Sequence, residues 1–313
     1  MRALYGAFHI VFTESKHLTL DFILRLHQYA TASVMKTNYN KSGYHSTSGK
    51  LRDDLSCGYP LSTLNTTRTG FKELLSERQR YFTLRIGNWV FNLNRLLKIQ
   101  QGLKADAFAC EYPDVFNKIS RSKTMIELSD IIFDIIEDNN IEVRYYSEQY
   151  SNPVMELKQD ALRHIQEFND DMRKLHAPID KLYRICLLVR RLEQLHMFLD
   201  ANCRTLCMLL LQHLLVNNGF PLSLTNDPNC FDAYSLDELV DEVLEGMDNV
   251  FELIAKGKLH YVHTKEIDRC LDRKNTLGLK REYVDQINAI EDRFRRRTEM
   301  KLSDKRRKTA PTT

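Results

Sequence analysis

Residues 195–205, LHMFLDANCRT, place a histidine, an acid, an asparagine and an arginine within nine positions. They lie between two apolar stretches that are typical of buried helices, LYRICLLVRRLEQL (182–195) and TLCMLLLQHLLV (205–216). The pattern predicts a helix that ends at His196, a tight turn, and a second helix that begins near Asn202. Because reactive polar groups are rare between buried helices, this turn decides both the fold and the candidate site.

The residue types in this turn suit chemistry on a phosphate group. The start of a helix offers unpaired backbone N–H groups and a positive dipole end, to which the Asn202 amide and the Arg204 guanidinium can add donors. Asp200 is a carboxylate suited to Mg²⁺, and His196 has an ordinary pKa near working pH, which fits a general base. Phe198 is expected to anchor the turn in the core. A packed histidine with helix-capping neighbours fits the same pattern.

The turn resembles the signature of the Fic/Doc family, His-x-Phe-x-(Asp/Glu)-(Gly/Ala)-Asn-x-Arg. The six matching positions are His196, Phe198, Asp200, Ala201, Asn202 and Arg204. The likeness extends to the flanking helices, the second of which ends in NNGFP (217–221). It reaches more weakly to LTLDFILRLHQY (18–29), similar to the opening helix of the domain, and to IEVRYYSEQYSNPV (141–154), similar to its flap. Residues 50–140 resemble no family pattern.

The resemblance implies a role for each matching residue. His196 would be the general base that deprotonates a Tyr, Thr or Ser hydroxyl of a target protein. Asp200 would hold Mg²⁺, and the segment Ala201, Asn202, Cys203 and Arg204 would bind the phosphates of a nucleotide. Most family members transfer AMP from ATP to the hydroxyl. The leading prediction is therefore a protein adenylyltransferase with Mg²⁺ as cofactor and ATP as co-substrate.

Three positions depart from the common adenylylating form. That form has glycine at Ala201 and Cys203 and a second arginine at Cys207, so this cradle is narrower and carries less positive charge. The Doc branch transfers a terminal phosphate but has lysine at position 203, and other relatives transfer phosphocholine from a cytidine nucleotide. Phosphate transfer, phosphocholine transfer and a non-catalytic interaction module therefore stay open. The family's inhibitory helix, (Ser/Thr)-x-x-x-Glu-(Gly/Asn), has no complete copy, because Leu74 follows Glu73.

Only 11 glycines and 7 prolines among 313 residues favour a mainly α fold. We expect a Fic-type helical domain with a small β-hairpin flap and extra helical segments. Residues 1–152 would hold the opening helix, a long insertion and the flap strand; 153–255 the catalytic core; and 256–313 a C-terminal helix and a basic tail. Residues 141–150 predict a strand, whereas 82–104 keep a helical period, although TLRIGNWVFNL (83–93) also fits a strand.

The predicted partners are a nucleotide and a protein substrate. The net charge of +3 indicates no specific nucleic acid, and the seven irregularly spaced cysteines favour free thiols in a reducing compartment. The longest apolar run is too short to span a bilayer, and His9 interrupts the faint signal-like start, so a soluble, cytoplasmic protein is expected. Family members with large extra segments include bacterial toxins and effectors that are secreted into host cells, a role that the resemblance admits here. The oligomeric state is not indicated.

Overall fold

The structure, a computed structural model, describes residues 17–31, 49–52, 58–77, 82–102, 106–138, 140–147 and 153–255. Its elements in chain order are α1 (Leu20–Thr31), β1 (Gly58–Leu61), α2 (Arg68–Glu77), β2 (Phe82–Ile86), β3 (Trp89–Asn92), α3 (Leu93–Gln100), α4 (Asp106–Glu111), α5 (Pro113–Arg121), α6 (Met125–Asp138), β4 (Val143–Ser147), α7 (Pro153–Met172), α8 (Pro178–Leu195), a π-helix (Arg204–Leu210), α9 (Leu211–Asn217), a 3₁₀-helix (Pro228–Asp232) and α10 (Leu236–Ala255). The predicted mainly helical class is confirmed, and the small antiparallel sheet agrees with the predicted β flap.

The sheet has four antiparallel strands in the order β1-β4-β2-β3. The predicted strand at 141–150 is its central strand β4, whose Tyr145 lies opposite Tyr59 of β1 on one side and Leu84 of β2 on the other. The predicted helical period over 82–104 is wrong for residues 82–92, which form the β2–β3 hairpin, as the strand alternative for 83–93 predicts. Buried Leu84 and Ile86 are two residues apart, a strand spacing, and Gly87 turns the chain with a φ of 57°.

Two hydrophobic cores organise the described residues. The helical core joins α1, α7, α8, the π-helix, α9 and α10, and it contains the fully buried Phe198. The sheet core joins the sheet to α2, α3 and the helices that follow, with Phe91 and Phe108 in edge contact at 4.8 Å between ring centroids. The site loop belongs to the helical core, and β1 brings the sheet beside it.

Helix α9 ends as the sequence predicts. Gly219 has a φ of 85°, and its N–H donates to Val216 O at 3.1 Å while the next N–H, from Phe220, reaches back to Leu215 O at 2.9 Å. This pair of bonds satisfies the last carbonyls of the helix, and a left-handed glycine allows it without steric cost. This cap ends α9, and the candidate site lies at the opposite, N-terminal end of the same continuous helical segment.

Helix α2 ties the two cores together at its first turn. The Thr67 hydroxyl donates to Glu238 at 2.5 Å, and the Thr67 N–H donates to Ala233 O at 3.1 Å. A Cβ atom at Gly70 would lie 2.1 Å from the same Ala233 oxygen, so only glycine allows this close approach.

A buried ion pair joins α2 to α8. Arg190, only 1% exposed, donates to Glu73 and, at 2.7 Å, to Glu77. Glu73 also accepts the Leu236 N–H at 3.1 Å, at the start of α10. Glu73, the acid compared above with the family's inhibitory helix, therefore links α8 to the start of α10.

Several predictions lie outside the described residues. They concern the signal-like start of the chain, and the C-terminal helix and basic tail within 256–313. The division at 152/153 and 255/256 stays a prediction. Among the helices that the structure describes, none combines the length and apolar character needed to cross a bilayer.

Candidate functional site

The loop between α8 and the next helix is bounded by two left-handed residues. α8 ends at Leu195, and His196 follows with φ 48° and ψ 55°, its N–H donating to Glu193 O at 2.8 Å. Ala201 closes the loop with a φ of 62°. Left-handed backbone is uncommon for residues other than glycine, so this loop is strained at both ends and must be held by its surroundings.

Arg52 holds the first part of the loop. Its Nε–H donates to His196 O at 2.7 Å, and its backbone N–H donates to Met197 O at 2.9 Å. Its side chain is 1% exposed. Two consecutive carbonyls therefore point into the protein.

His27 of α1 holds the second part. The Gly49 N–H donates to its Nδ1 at 2.9 Å, so Nε2 carries the proton that it donates to Asp200 O at 3.1 Å. Its ring lies parallel to that of Phe198, with 3.9 Å between ring centroids and 4° between planes. Phe198, the predicted anchor, is fully buried in this stack. Burial lowers the pKa of His27, which favours the neutral ring that both hydrogen bonds require.

The Asn202 side chain faces the interior of the loop. Its oxygen accepts the Phe198 N–H at 2.8 Å and its amide donates to Phe198 O at 2.7 Å, with the residue 3% exposed. The amide therefore closes the loop on itself, rather than reaching outward to an anion as the sequence suggested. The predicted contact of Asn202 with phosphate remains a prediction for its backbone N–H.

The helix after the loop begins at Asn202, and its first amides have no acceptor within the helix itself. Its first inward N–H bond runs from Thr205 to Ala201 O at 3.0 Å, so the amides of residues 202–204 have no acceptor within the helix. From Arg204 the helix is a π-helix, in which the Leu211 N–H reaches Leu206 O. π-helical turns are rare and occur often at functional sites. Ala201, Cys203 and Arg204 thus lie on or beside one helix start.

Asp200 and Arg204 lie at the open side of this helix start. Their side chains, 61% and 37% exposed, form an ion pair at 3.1 Å, and Asp200 also accepts the Ala201 N–H at 2.6 Å. Exposed pairs of this kind contribute at most about 1 kcal/mol. Each partner can therefore exchange the other for a stronger ligand at little cost.

The imidazole of His196 is partly buried beside the sheet. Its ring centroid lies 5.5 Å from that of Tyr59, whose hydroxyl donates to Asp232 O at 3.1 Å. Burial, and next the positive charges of Arg52 and Arg144, lower the pKa of His196 to about 4, against the opposing charge of Asp200. The expected pKa near working pH therefore does not hold for the free protein. Within the part of the chain that the structure describes, its Nδ1 has no hydrogen-bond partner.

The lowered pKa of His196 makes stability depend on pH. Unfolded His196 binds its proton near pH 6.5, whereas the folded residue does so only near pH 4, so the unfolding free energy falls as the pH drops between these values. Between pH 7 and pH 5 we expect a loss of about 2 kcal/mol. Urea denaturation at both pH values measures it. In the His196→Ala protein this share of the loss should vanish, and an unchanged pH dependence would contradict the assignment.

Behind the loop lies a buried acidic cluster. Cys207 donates its S–H to Glu193 at 3.5 Å, and burial raises the pKa of Glu193, of Asp232 and of Cys207. Position 207, where the adenylylating form has its second arginine, therefore holds a buried thiol. In the described ranges no group of three or more His, Cys, Asp or Glu side chains is arranged to hold a metal, which leaves Asp200 as a single carboxylate at the loop.

Comparison with known proteins agrees with this geometry. The Fic/DOC family model matches residues 90–214, a range that contains β4, the loop and the helix after it. This part of the chain belongs to the Fic/Doc family. Over 93 residues, 30% of this chain, the sequence is 39% identical to phosphocholine transferase AnkX of Legionella pneumophila subsp. pneumophila strain Philadelphia 1. The match covers 10% of that protein's length, so it relates one segment and not two whole chains.

The Fic/Doc motif located the loop but missed the residues that hold it. Arg52 and Tyr59 lie in the stretch 50–140, where the sequence shows no family pattern, and Arg144 lies in the flap-like segment 141–154, where the likeness gives that arginine no role. His27 was visible as a polar member of the apolar row on α1, and a histidine on a buried face must find hydrogen-bond partners. That requirement is the sequence feature from which a supporting role of His27 could have been predicted. For Arg52 no local signal exists, because its partners are 144 residues away.

Ala201→Gly is expected to stabilise the protein by about 0.5–1 kcal/mol. A left-handed φ of 62° costs an alanine about 1–2 kcal/mol that glycine does not incur, less the entropy that glycine loses on folding. Urea denaturation measures the change. The matched control is Ala161→Gly, at a buried position inside α7, which should destabilise by about 1 kcal/mol. A loss of stability at both positions would contradict the strain at Ala201.

Proposed function

We propose that the chain is a Fic-type transferase that moves a phosphate-containing group from a nucleotide to a hydroxyl of a target protein. The proposal rests above all on one observation: the partly buried imidazole of His196 lies at a loop whose carbonyls are bound by Arg52 and whose next helix begins with amides that have no acceptor within it. Family membership and the AnkX match support the same class of reaction.

His196 would act as the general base. It accepts the proton of the target hydroxyl while that oxygen attacks phosphorus, and the rest of the donor, CMP in phosphocholine transfer or pyrophosphate in AMP transfer, leaves with the electron pair of the broken P–O bond. A base with a pKa of about 4 is weak in the free protein. Bound phosphates bring negative charge close to the ring, which raises the pKa towards neutrality. Binding of the donor would thus raise the basicity of the histidine that catalyses its own transfer.

The helix start would bind the phosphates of the donor. The amides of residues 202–204 and the positive helix end favour an anion there. Arg204 adds a guanidinium whose one partner among the described residues is exposed Asp200, so it can turn to a phosphate. Together these groups make the loop attractive to a polyanion.

The donor set fits Mg²⁺ only in part. Asp200 is one exposed carboxylate, and Mg²⁺ accepts one or two protein carboxylates when substrate phosphates and water complete its shell. When bound with a nucleotide, the ion would neutralise phosphate charge in the transferred group. Asp200 would hold it once Arg204 turns away. The ion then depends on the donor for its remaining ligands.

Phosphocholine is the group that we favour. The matched segment of AnkX belongs to a phosphocholine transferase. The second arginine that would bind the outer phosphates of ATP is replaced by Cys207, which is buried against Glu193. A CDP-choline donor carries one phosphate fewer than ATP and a cationic choline, so it needs less positive charge from the protein. AMP transfer from ATP is the second candidate, supported by the complete His196-to-Arg204 motif.

Labelled donors distinguish the candidates. The purified protein is incubated with a lysate and Mg²⁺, and with CDP-choline labelled in the choline, ATP labelled at the α-phosphate, or ATP labelled at the γ-phosphate. We expect protein-bound label from CDP-choline and no label with the His196→Ala protein. Label from α-phosphate would indicate AMP transfer, and label from γ-phosphate would indicate phosphate transfer. If no donor labels any protein, the transferase proposal fails in favour of an interaction module.

A further inference from the structure

The left-handed backbone at His196 needs an external support. A φ of 48° is unfavourable for a residue other than glycine, and it persists only when neighbouring groups over-determine it. The bond from its own N–H to Glu193 O continues α8 and fixes only the incoming side. The direction of the imidazole depends on the peptide planes that follow, between residues 196 and 198.

We propose that Arg52 is a positioning residue for His196. Its side chain donates to the carbonyl of His196 at 2.7 Å and its backbone to the carbonyl of Met197 at 2.9 Å, so it fixes two consecutive peptide planes. The inference rests on the proposed function, because Arg52 would orient the imidazole that acts as the base in that reaction. Arg52 touches neither donor nor acceptor in this role.

The burial of Arg52 suits a rigid support. It is one of the largest fully buried side chains, and the planar guanidinium fixes the direction of Nε–H once it is packed. Its charge also disfavours protonation of His196, which agrees with a base that is kept neutral. The hydrogen bond and the charge are separate contributions, and different variants remove each of them.

Three substitutions separate the two contributions. Arg52→Gln places an amide N–H as far along the side chain as Nε, which keeps the bond to His196 O but removes the charge. Arg52→Lys keeps the charge but moves the donor one bond further out. Arg52→Met removes both. The backbone bond to Met197 remains in all three, and Arg191→Met, a partly exposed arginine of α8 that pairs with Glu167, is the matched control.

We expect kcat to fall about 100-fold in Arg52→Met and Arg52→Lys. A displacement of the His196 imidazole by about 1 Å from its working position reduces the rate by that factor. KM for the donor should stay within about threefold, since the donor is bound elsewhere. Arg52→Gln should stay within about fivefold of the wild-type kcat. Wild-type kcat in Arg52→Met overturns the proposal, and so does an active Lys variant beside an inactive Gln variant.

A readout that needs no transfer keeps the inference apart from the proposed function. The ¹⁵N–¹H spectrum of the histidine rings, with His196 assigned by its absence in His196→Ala, should show one narrow ring signal in wild type, Arg52→Gln and Arg191→Met. It should broaden or shift in Arg52→Met and Arg52→Lys. Should no donor prove active while these spectra change as described, Arg52 still positions His196. An unchanged ring signal in Arg52→Met overturns the inference, and if that variant fails to fold, the Gln and Lys pair decides.

Discussion

His196→Ala is expected to reduce transfer to the target hydroxyl by about 10²–10⁴-fold, the usual share of a general base. The imidazole has no other visible task in the loop. Its Nδ1 is without a partner in the residues that the structure describes, and the bonds that hold the loop run through the backbone oxygen of His196 and not through its ring. The loop should therefore keep its shape when the ring is removed.

The experiment compares initial rates of label incorporation with wild type, at saturating donor and with urea denaturation to establish folding. His176→Ala is the matched control, because His176 is exposed and lies between α7 and α8, away from the loop. It should transfer at the wild-type rate. Equal rates in His196→Ala and wild type would remove the base from the mechanism and favour a binding module on the same fold.

The double variant Glu73→Gln/Glu77→Gln is expected to lose about 3–5 kcal/mol of unfolding free energy. Arg190 is 1% exposed and pairs with both acids, so the variant leaves a buried guanidinium without its counter-charges. Removing the partners of a buried charge costs this much because the remaining charge stays desolvated. Glu73 also accepts the Leu236 N–H, and the amide oxygen of glutamine can still do so.

A rescue variant tests the cause. Adding Arg190→Met to the double variant replaces the unpaired charge by an apolar chain of similar length, and it should recover most of the lost stability. Arg191→Met alone is the control, since Arg191 is partly exposed in its pair with Glu167 and should change stability by less than about 1 kcal/mol. A triple variant as unstable as the double one would show that packing, and not charge, holds α2 to α8.

The features that the sequence predicts well are those that depend on neighbours along the chain. The helices on both sides of the loop follow from apolar periodicity, and the end of α9 follows from Gly219 and Pro221. Residues 82–92 were misjudged because a short apolar run fits both a helical and a strand period, and only the partner strand β4 decides between them.

The features that the sequence could not predict depend on distant contacts. The low pKa of His196 comes from burial and from arginines that the chain brings in from positions 52 and 144. The inward turn of the Asn202 amide depends on a loop closed by Arg52 and His27 from other segments. A motif therefore identifies which residues meet, whereas their protonation and direction are set by the rest of the fold.

The π-helix after the loop changes which position of this chain corresponds in space to the second arginine of the adenylylating form. In a helix with i→i+5 bonds, such as that from Leu206 O to the Leu211 N–H, numbering along the chain runs out of step with angular position around the axis. An arginine grafted at Cys207 by sequence correspondence would enter the interior beside Glu193. The outward-facing member of this turn is its neighbour Met208, 36% exposed, which makes 208 the position at which a guanidinium could reach solvent.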